Sequence, residues 1–356
     1  LSRGLGDVYK RQVFGLTLIG LTMVSCSKNE TPDYNVELRE YPVQFRADLD
    51  SIDKYLNTHY IASVDADFNI TFAKIPTGGT QLSIRAQQNY PLQFINVQND
   101  THGVNYKIYY LKLREGTNES TTSVDSIYVS YKGTLLKNTQ FDYSETPVWF
   151  QLENVVAGWG EIIPLFKTGT YDTAPGPNPS TFSNFGAGVM FLPSGMAYYN
   201  QMPSSLIPPY SPLIFSFKLK SQKSRDHDRD GILSKHEVNP AIANQKPKDY
   251  DSDGDGTANY LDIDDDGDRY MTKVELLRPY LRGANNVLTP NGYFPFNGAA
   301  VDNPLTPNID ERQGVPRKFT GPNNPANNLP TPLPSDYTDP TRLRRYLDPT
   351  SFPPFE

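Results

Sequence analysis

The sequence predicts an α+β chain in which antiparallel strands and a short helix precede a run of aspartate-rich loops and an irregular tail. Three observations carry this prediction. Residues 106–113 (YKIYYLKL) show the alternation of a half-buried antiparallel strand. Residues 225–275 are dense in Asp and Gly. Residues 288–356 hold 14 of the 31 prolines, with many Asn and little periodicity. A segment of that composition buries too little apolar surface to offset its ordering entropy, so the tail, 281–356, is predicted to be largely disordered.

The 356 residues suggest two domains, three at most. The 33 basic and 40 acidic side chains give a net charge of −7, which offers no electrostatic ground for nucleic-acid binding. A single cysteine excludes an intramolecular disulfide framework and a cysteine-based zinc site.

The first apolar run, 13–24 (VFGLTLIGLTMV), is too short for a membrane-spanning helix, which needs ~20 residues. Lys10 and Arg11 precede it and small residues follow, the layout of a secretory signal peptide. It ends in Met23-Val24-Ser25-Cys26, which resembles the lipobox of bacterial lipoproteins. That resemblance implies that Cys26 is lipidated, becomes the mature N-terminus, and anchors the chain in the bacterial cell envelope. The expected place is the outer membrane, on its periplasmic or surface face. Residues 1–26 are therefore a lead-in and signal.

Residues 27–103 read as a tether and an N-terminal extension, either an extra β layer or a dimerisation element. Leu49, Ile52, Tyr55 and Leu56 fall on one face of a short helix over 48–58. Strands are expected at 71–75, 92–97, 107–114, 126–131 and 213–219. Residues 116–123 (GTNESTTS) are a loop, and 170–188, rich in Gly, Pro, Asn and Ser, interrupts the strand pattern.

Between 104 and 222 an ordered set of motifs appears. Residues 125–133 (DSIYVSYKG) are followed by Phe141-Asp142, Pro147 and Phe150, then by Val155-Val156-Ala157-Gly158-Trp159. Further on come Pro193 through Ala197-Tyr198, then Ile207-Pro208-Pro209 and Leu213-Ile214-Phe215. In this order they resemble the FKBP-type peptidyl-prolyl isomerase family. The resemblance implies a twisted antiparallel half-barrel around one short helix, and catalysis of X–Pro rotation in exported polypeptides as a folding helper. It also implies a pocket lined by Tyr131, Phe141, Asp142, Phe150, Val155, Val156, Trp159, Tyr198, Ile207 and Phe215.

The chemistry suits those residue types. An X–Pro bond rotates over a barrier of ~20 kcal/mol, in tens of seconds when uncatalysed. Water stabilises the planar, charge-separated amide, so an apolar aromatic pocket removes the solvent that favours the ground state. Trp159 would be the platform under the proline ring, with Phe141, Phe150 and Phe215 as walls. Tyr198 would bind a substrate carbonyl, and Asp142 would orient the polar edge. The sequence departs from the family pattern at Tyr199, where Gly is usual, and at the 170–188 insertion. If either filled the pocket, the chain would be a non-catalytic binding or adhesion lipoprotein.

Residues 223–280 carry a different signature. Residues 226–237 (DHDRDGILSKHE) fit the twelve-residue EF-hand loop, with Asp226, Asp228, Asp230 and Glu237 as carboxylate ligands. The Ile232 carbonyl fills position 7, and Ser234 acts directly or through water. Asp251, Asp253 and Asp255 open a second loop that ends at Asp262. Asp264, Asp266 and Asp268 open a third that ends at Glu275, with Arg269 in place of the turn Gly. The short flanks make these loops resemble thrombospondin type 3 repeats, and Ca²⁺ is the expected ion. Residues 225–275 hold 14 acidic and 7 basic side chains, a net −7, leaving 26 of each elsewhere. The whole excess charge sits in this segment.

Overall fold

The computed structural model describes residues 38–172, 181–239, 241–243, 245–278, 281–282, 288–289, 292–298 and 314–353. Cys26 and the apolar run before it lie outside the described residues. No helix among the described residues is long and apolar enough to cross a membrane.

The elements run α1 (Tyr41–Thr58), β1 (His59–Val64), β2 (Ile70–Lys74), β3 (Leu92–Asn99), β4 (Val104–Arg114), β5 (Ser126–Leu135) and β6 (Gln140–Gln151). Then follow α2 (Ala157–Ile162), β7 (Thr170–Asp172), β8 (Thr181–Ser183), β9 (Gly186–Leu192) and β10 (Leu213–Lys223). Strands β3-β4-β9-β10-β5-β6 form a six-stranded sheet in that order, with every pairing antiparallel.

The alternation in β4 extends to both faces of this sheet. Tyr106, Ile108 and Tyr110 join a core with Trp159 and Ile162 of α2. Tyr109, Leu111 and Leu113 join a second core with Ile52, Tyr55 and Leu56 of α1. A strand buried on both faces needs apolar residues at successive positions, which is why 108–111 reads Ile-Tyr-Tyr-Leu. The N-terminal extension is therefore a layer of helix and hairpin over the back of the sheet, and β3 extends the sheet edge beyond the expected boundary at 104.

Several elements depart from the sequence reading. Helix α1 starts seven residues before the expected 48, because its first two turns bury Gln44 and Asp48 in place of an apolar stripe. Pro42 in the first turn is its N-terminal signal. Strand β6 contains Pro147, which an edge strand tolerates. Strand β9 begins inside the supposed 170–188 insertion, the rest of whose described part is the β7–β8 hairpin. Its small residues fit a tight crossing: a Cβ on Gly188 would lie 2.5 Å from the Phe166 ring.

The tail corrects the expectation of disorder for its described parts. Phe294, Val315, Phe319, Tyr337 and Tyr346 bury themselves with Ile232 and Leu276 of the aspartate-rich segment. Arg345, 1% exposed, donates to the backbone carbonyls of Glu275 and Leu277. A few widely spaced aromatics fold back on the loops, a pattern with no local periodicity.

Candidate functional site

A cleft of about 460 Å³ opens between α2 and the sheet. Its lining includes Tyr131 of β5, Asp142 and Phe150 of β6, and Phe215 of β10. Val156 is extended and caps α2, and the Trp159 N–H donates to its carbonyl at 2.9 Å. Gly158 brings the helix against β9, since a Cβ there would meet Leu192 at 2.4 Å. Trp159, 3% exposed, is ringed by Tyr131, Phe150 and Phe215, with centroids at 5.6, 5.9 and 5.3 Å and near-perpendicular planes. Edge-to-face packing of this kind fixes the rings more firmly than burial alone.

One side of the cleft is polar. The Tyr131 hydroxyl donates to Asp142 Oδ2 at 2.7 Å. Burial raises the pKa of both Tyr131 and Tyr198, and the Asp142 carboxylate adds to the rise. Both phenols therefore stay protonated and able to donate at neutral pH.

The structure brings Tyr131, Asp142, Phe150, Val155, Val156, Trp159, Tyr198 and Phe215 together around the cleft, with Asn154, Ala157 and Ala197 in addition. Phe141 stands behind Phe215, edge to face at 5.5 Å. Ile207 is a correction: it is buried in the core beneath and does not line the cleft, and residues 201–206 before it are exposed. No described residue of 170–188 lines the cleft either.

Tyr199 also points elsewhere. It holds φ at +53°, the left-handed conformation that favours Gly. Its ring stacks on Tyr41 of α1 at 4.1 Å, and its hydroxyl donates to the Arg39 carbonyl. Beside it, buried Asp48 of α1 accepts the Ser194 N–H at 2.7 Å and the Ser194 hydroxyl at 2.6 Å, and Gln44 donates to its other oxygen at 2.6 Å. Asp48 thereby fixes the start of the loop that delivers Ala197 and Tyr198. A buried Asp one helical turn from a buried Gln was the signal for this role, but the partner is 146 residues away in sequence.

The aspartate-rich segment forms three loops of one geometry. In each, the carboxylate at position 1 accepts the N–H at position 6, from Gly231, Gly256 and Arg269, at 3.0–3.2 Å. The carboxylate at position 5 accepts the N–H at position 7 at 2.7 Å in all three. Arg269 adopts φ +81° and so preserves the turn that Gly231 and Gly256 make. Oxygens of Asp226, Asp228 and Asp230 converge within 4.8 Å of one another, as do those of Asp251, Asp253 and Asp255, and of Asp264, Asp266 and Asp268.

The closing positions differ from expectation. Ser234 is fully buried and accepts the His227 N–H at 3.2 Å, so it clips its own loop. Asn259 and Thr272 do the same for Ser252 and Asp265. Asp262 accepts the Asp264 N–H at 2.9 Å and stands outside the second cluster. Glu237 and Glu275 are 2% and 1% exposed, with no hydrogen-bond partner on either carboxylate oxygen. Burial and neighbouring carboxylates push each up to about 10. The half-buried Asp251 is instead held below the usual range by the Gly254 and Gly256 N–H groups. Oxygen-only clusters with orphaned buried carboxylates fit a hard divalent cation, which supplies the missing positive charge.

Two ion-paired carboxylates join this segment to the cleft. Glu153, next to cleft residue Asn154, pairs with Arg225 and lies 3.1 Å from His227. Glu161 of α2, two residues after Trp159, pairs with Lys246 and Lys248.

Comparison with known proteins agrees with the geometry of the cleft. Residues 117–220 match the family model of FKBP-type peptidyl-prolyl cis-trans isomerase. A probable FKBP-type isomerase FkpA of Neisseria meningitidis is 31% identical over 126 residues, 35% of this chain and 39% of that protein. Outer membrane protein MIP of Legionella longbeachae is 32% identical over 124 residues, 34% of this chain and 45% of that protein. The chain thus spans less than half the length of either relative. A solved isomerase structure from Pseudomonas syringae covers 52% of this chain and 98% of its own, at 18% identity and a TM-score of 0.32. Over the acidic segment, residues 227–308 match the family described as BamM C-terminal. Residues 117–220 are thus the part of this chain that is similar to FKBP-type peptidyl-prolyl cis-trans isomerases.

Proposed function

We propose that this chain is a peptidyl-prolyl cis–trans isomerase for exported polypeptides, held in the bacterial envelope by a lipid on Cys26 and ordered at its C-terminal region by Ca²⁺. The observation that carries the isomerase reading is the aromatic cleft with Trp159 at its floor. The sheet, wrapped about α2 as a half-barrel, gives that cleft rigid walls. A proline ring would lie on Trp159 between Phe150 and Phe215, while Tyr198 donates to a flanking carbonyl and Tyr131–Asp142 fixes the polar rim. Its floor and walls at Trp159, Phe150, Val155, Val156 and Phe215 are apolar, so the twisted amide is favoured over the planar one relative to water.

An adjoining groove of about 670 Å³ shares Phe150, Asn154 and Val155 with the cleft and continues past Trp149, Gln151 and Lys223. A groove that extends beyond the proline site suits a polypeptide better than a small molecule. The envelope location draws support from the lipobox-like Met23–Cys26 motif and from the printed name of the Legionella relative. The Ca²⁺ reading rests on the three carboxylate clusters and the orphaned oxygens of Glu237 and Glu275.

The test is a proline-isomerisation assay on the chain from Cys26 onward, with Trp159→Phe as the variant. Acceleration well above the uncatalysed rate, reduced about tenfold in Trp159→Phe, is the expected result. No acceleration would leave a cleft that binds proline-containing chains without turning them over.

A further inference from the structure

We propose that Asp265 completes a divalent-cation site with Asp230 and Glu237, so that a single ion fastens the first aspartate loop to the third. This rests on the reading of the segment as a Ca²⁺ binder, and adds to it a ligand that the twelve-residue loop pattern does not contain.

Asp265 is position 2 of the third loop, where the first and second loops carry His227 and Ser252. Its own loop's cluster is Asp264, Asp266 and Asp268, without it. Instead its carboxylate meets those of Asp230 and Glu237, one oxygen from each lying within 4.8 Å of the others. These residues are 1%, 2% and 2% exposed respectively. Both oxygens of Asp265, both of Glu237 and Oδ2 of Asp230 have no hydrogen-bond partner.

Three carboxylates aimed at one point and stripped of water repel one another strongly at this separation. Two positive charges at that point reverse the sign of the interaction. The burial of all three denies access to a replacing water shell, and Tyr346 of the tail lies near enough to interact electrostatically with each of them. The donor set is oxygen alone, which selects Ca²⁺ or Mg²⁺ over softer metals, and the carboxylate count favours Ca²⁺. The ion would close a span of 35 residues (265 − 230), and the second loop lies inside that span.

The experiment uses the chain from Cys26 onward, with Ca²⁺ alone as the probe. Calorimetric titration and thermal unfolding, with and without chelator, are compared for wild type, Asp265→Asn, Asp265→Glu and Asp249→Asn. The last variant removes an exposed carboxylate that belongs to none of the clusters and serves as the control. Asp265→Asn is expected to weaken the tightest class of Ca²⁺ binding tenfold or more, whereas Asp265→Glu keeps most of the affinity. Thermal unfolding should cross over: in chelator Asp265→Asn melts above wild type, having lost one repelling charge, and in Ca²⁺ it melts below. A merely structural role would move the melting temperature in the same direction under both conditions, and that result would overturn the proposal. Wild type that binds Ca²⁺ while Asp265→Asn binds it equally well also overturns it, with the wider Ca²⁺ reading intact. Wild type that binds no Ca²⁺ removes both.

Discussion

The cleft and the aspartate loops solve opposite problems of burial. Around Trp159 the buried groups are aromatic rings that gain from leaving water, and each ring finds another ring. Around Glu237 and Glu275 the buried groups are carboxylates that lose on leaving water, and their oxygens find no partner in the protein. The first region is complete as a polypeptide. On the proposed function the second would be completed by positive charge from outside, and its stability would then depend on the solution as much as on the chain.

The most direct way to break this contrast is to remove the cation. Chelation is expected to lower the unfolding temperature of the C-terminal region by on the order of 10 °C and that of the isomerase domain by much less. Differential scanning calorimetry with and without EDTA checks this, and one transition shifting as a unit would show that the regions are not distinct.

The converse perturbation is Phe150→Ala, which opens a wall of the cleft. Isomerisation should fall by about one to two orders of magnitude, since the loss of an aromatic wall is worth about 1–3 kcal/mol. Calcium affinity should be unchanged, and a joint loss would contradict the division.

A smaller effect sharpens the contrast where the N-terminal extension packs on the isomerase-like region, since Asp48 of α1 is a buried carboxylate with full partners. Asp48→Ala leaves the Ser194 N–H without an acceptor and should cost about 1–3 kcal/mol. Burial outweighs the hydrogen bonds and raises the Asp48 pKa above its ordinary 3.8. A raised carboxylate stabilises the fold below the unfolded value and loses that contribution as pH climbs through the folded one. Urea unfolding should therefore show the advantage of wild type over Asp48→Asn to be largest near pH 4 and to shrink as the pH rises. The opposite trend would mean that the hydrogen bonds to the ionised form dominate.

The smallest effect is expected at Tyr199. Tyr199→Gly relieves the left-handed backbone, worth about 1–2 kcal/mol, and forfeits the stacking and burial against α1, worth about 2–3 kcal/mol. The net loss should be about 1 kcal/mol in denaturant unfolding, with the isomerisation rate unaltered because the ring faces away from the cleft.

Much of this molecule was legible wherever chemistry forces an ordered set of residue types. The Val155–Trp159 run, Phe141-Asp142, and Tyr198 all fall in or beside the cleft because an apolar floor, aromatic walls and a polar rim each constrain their positions. The aspartate spacing was legible for the same reason, and even Arg269 holds the turn. What stayed hidden depends on contacts distant in sequence. Asp48 reads as an ordinary helix residue until Ser194 is beside it. Asp265 sits at a loop position that its own loop's carboxylate cluster does not use, and its partners lie in another loop. Phe319 and Tyr346 look isolated in a proline-rich tail, yet share a core with Ile232 and Leu276.

Glu153 and Glu161 belong to both regions at once, since each is anchored by cations from the acidic segment and each adjoins the cleft floor or rim. Thermodynamic reciprocity then applies between the two sites. Whatever factor a bound cation contributes to the grip on a proline-containing chain, that chain returns to the grip on the cation. If the proposed function holds, a client polypeptide and an inorganic ion would be each other's effectors, with two glutamates as the joint.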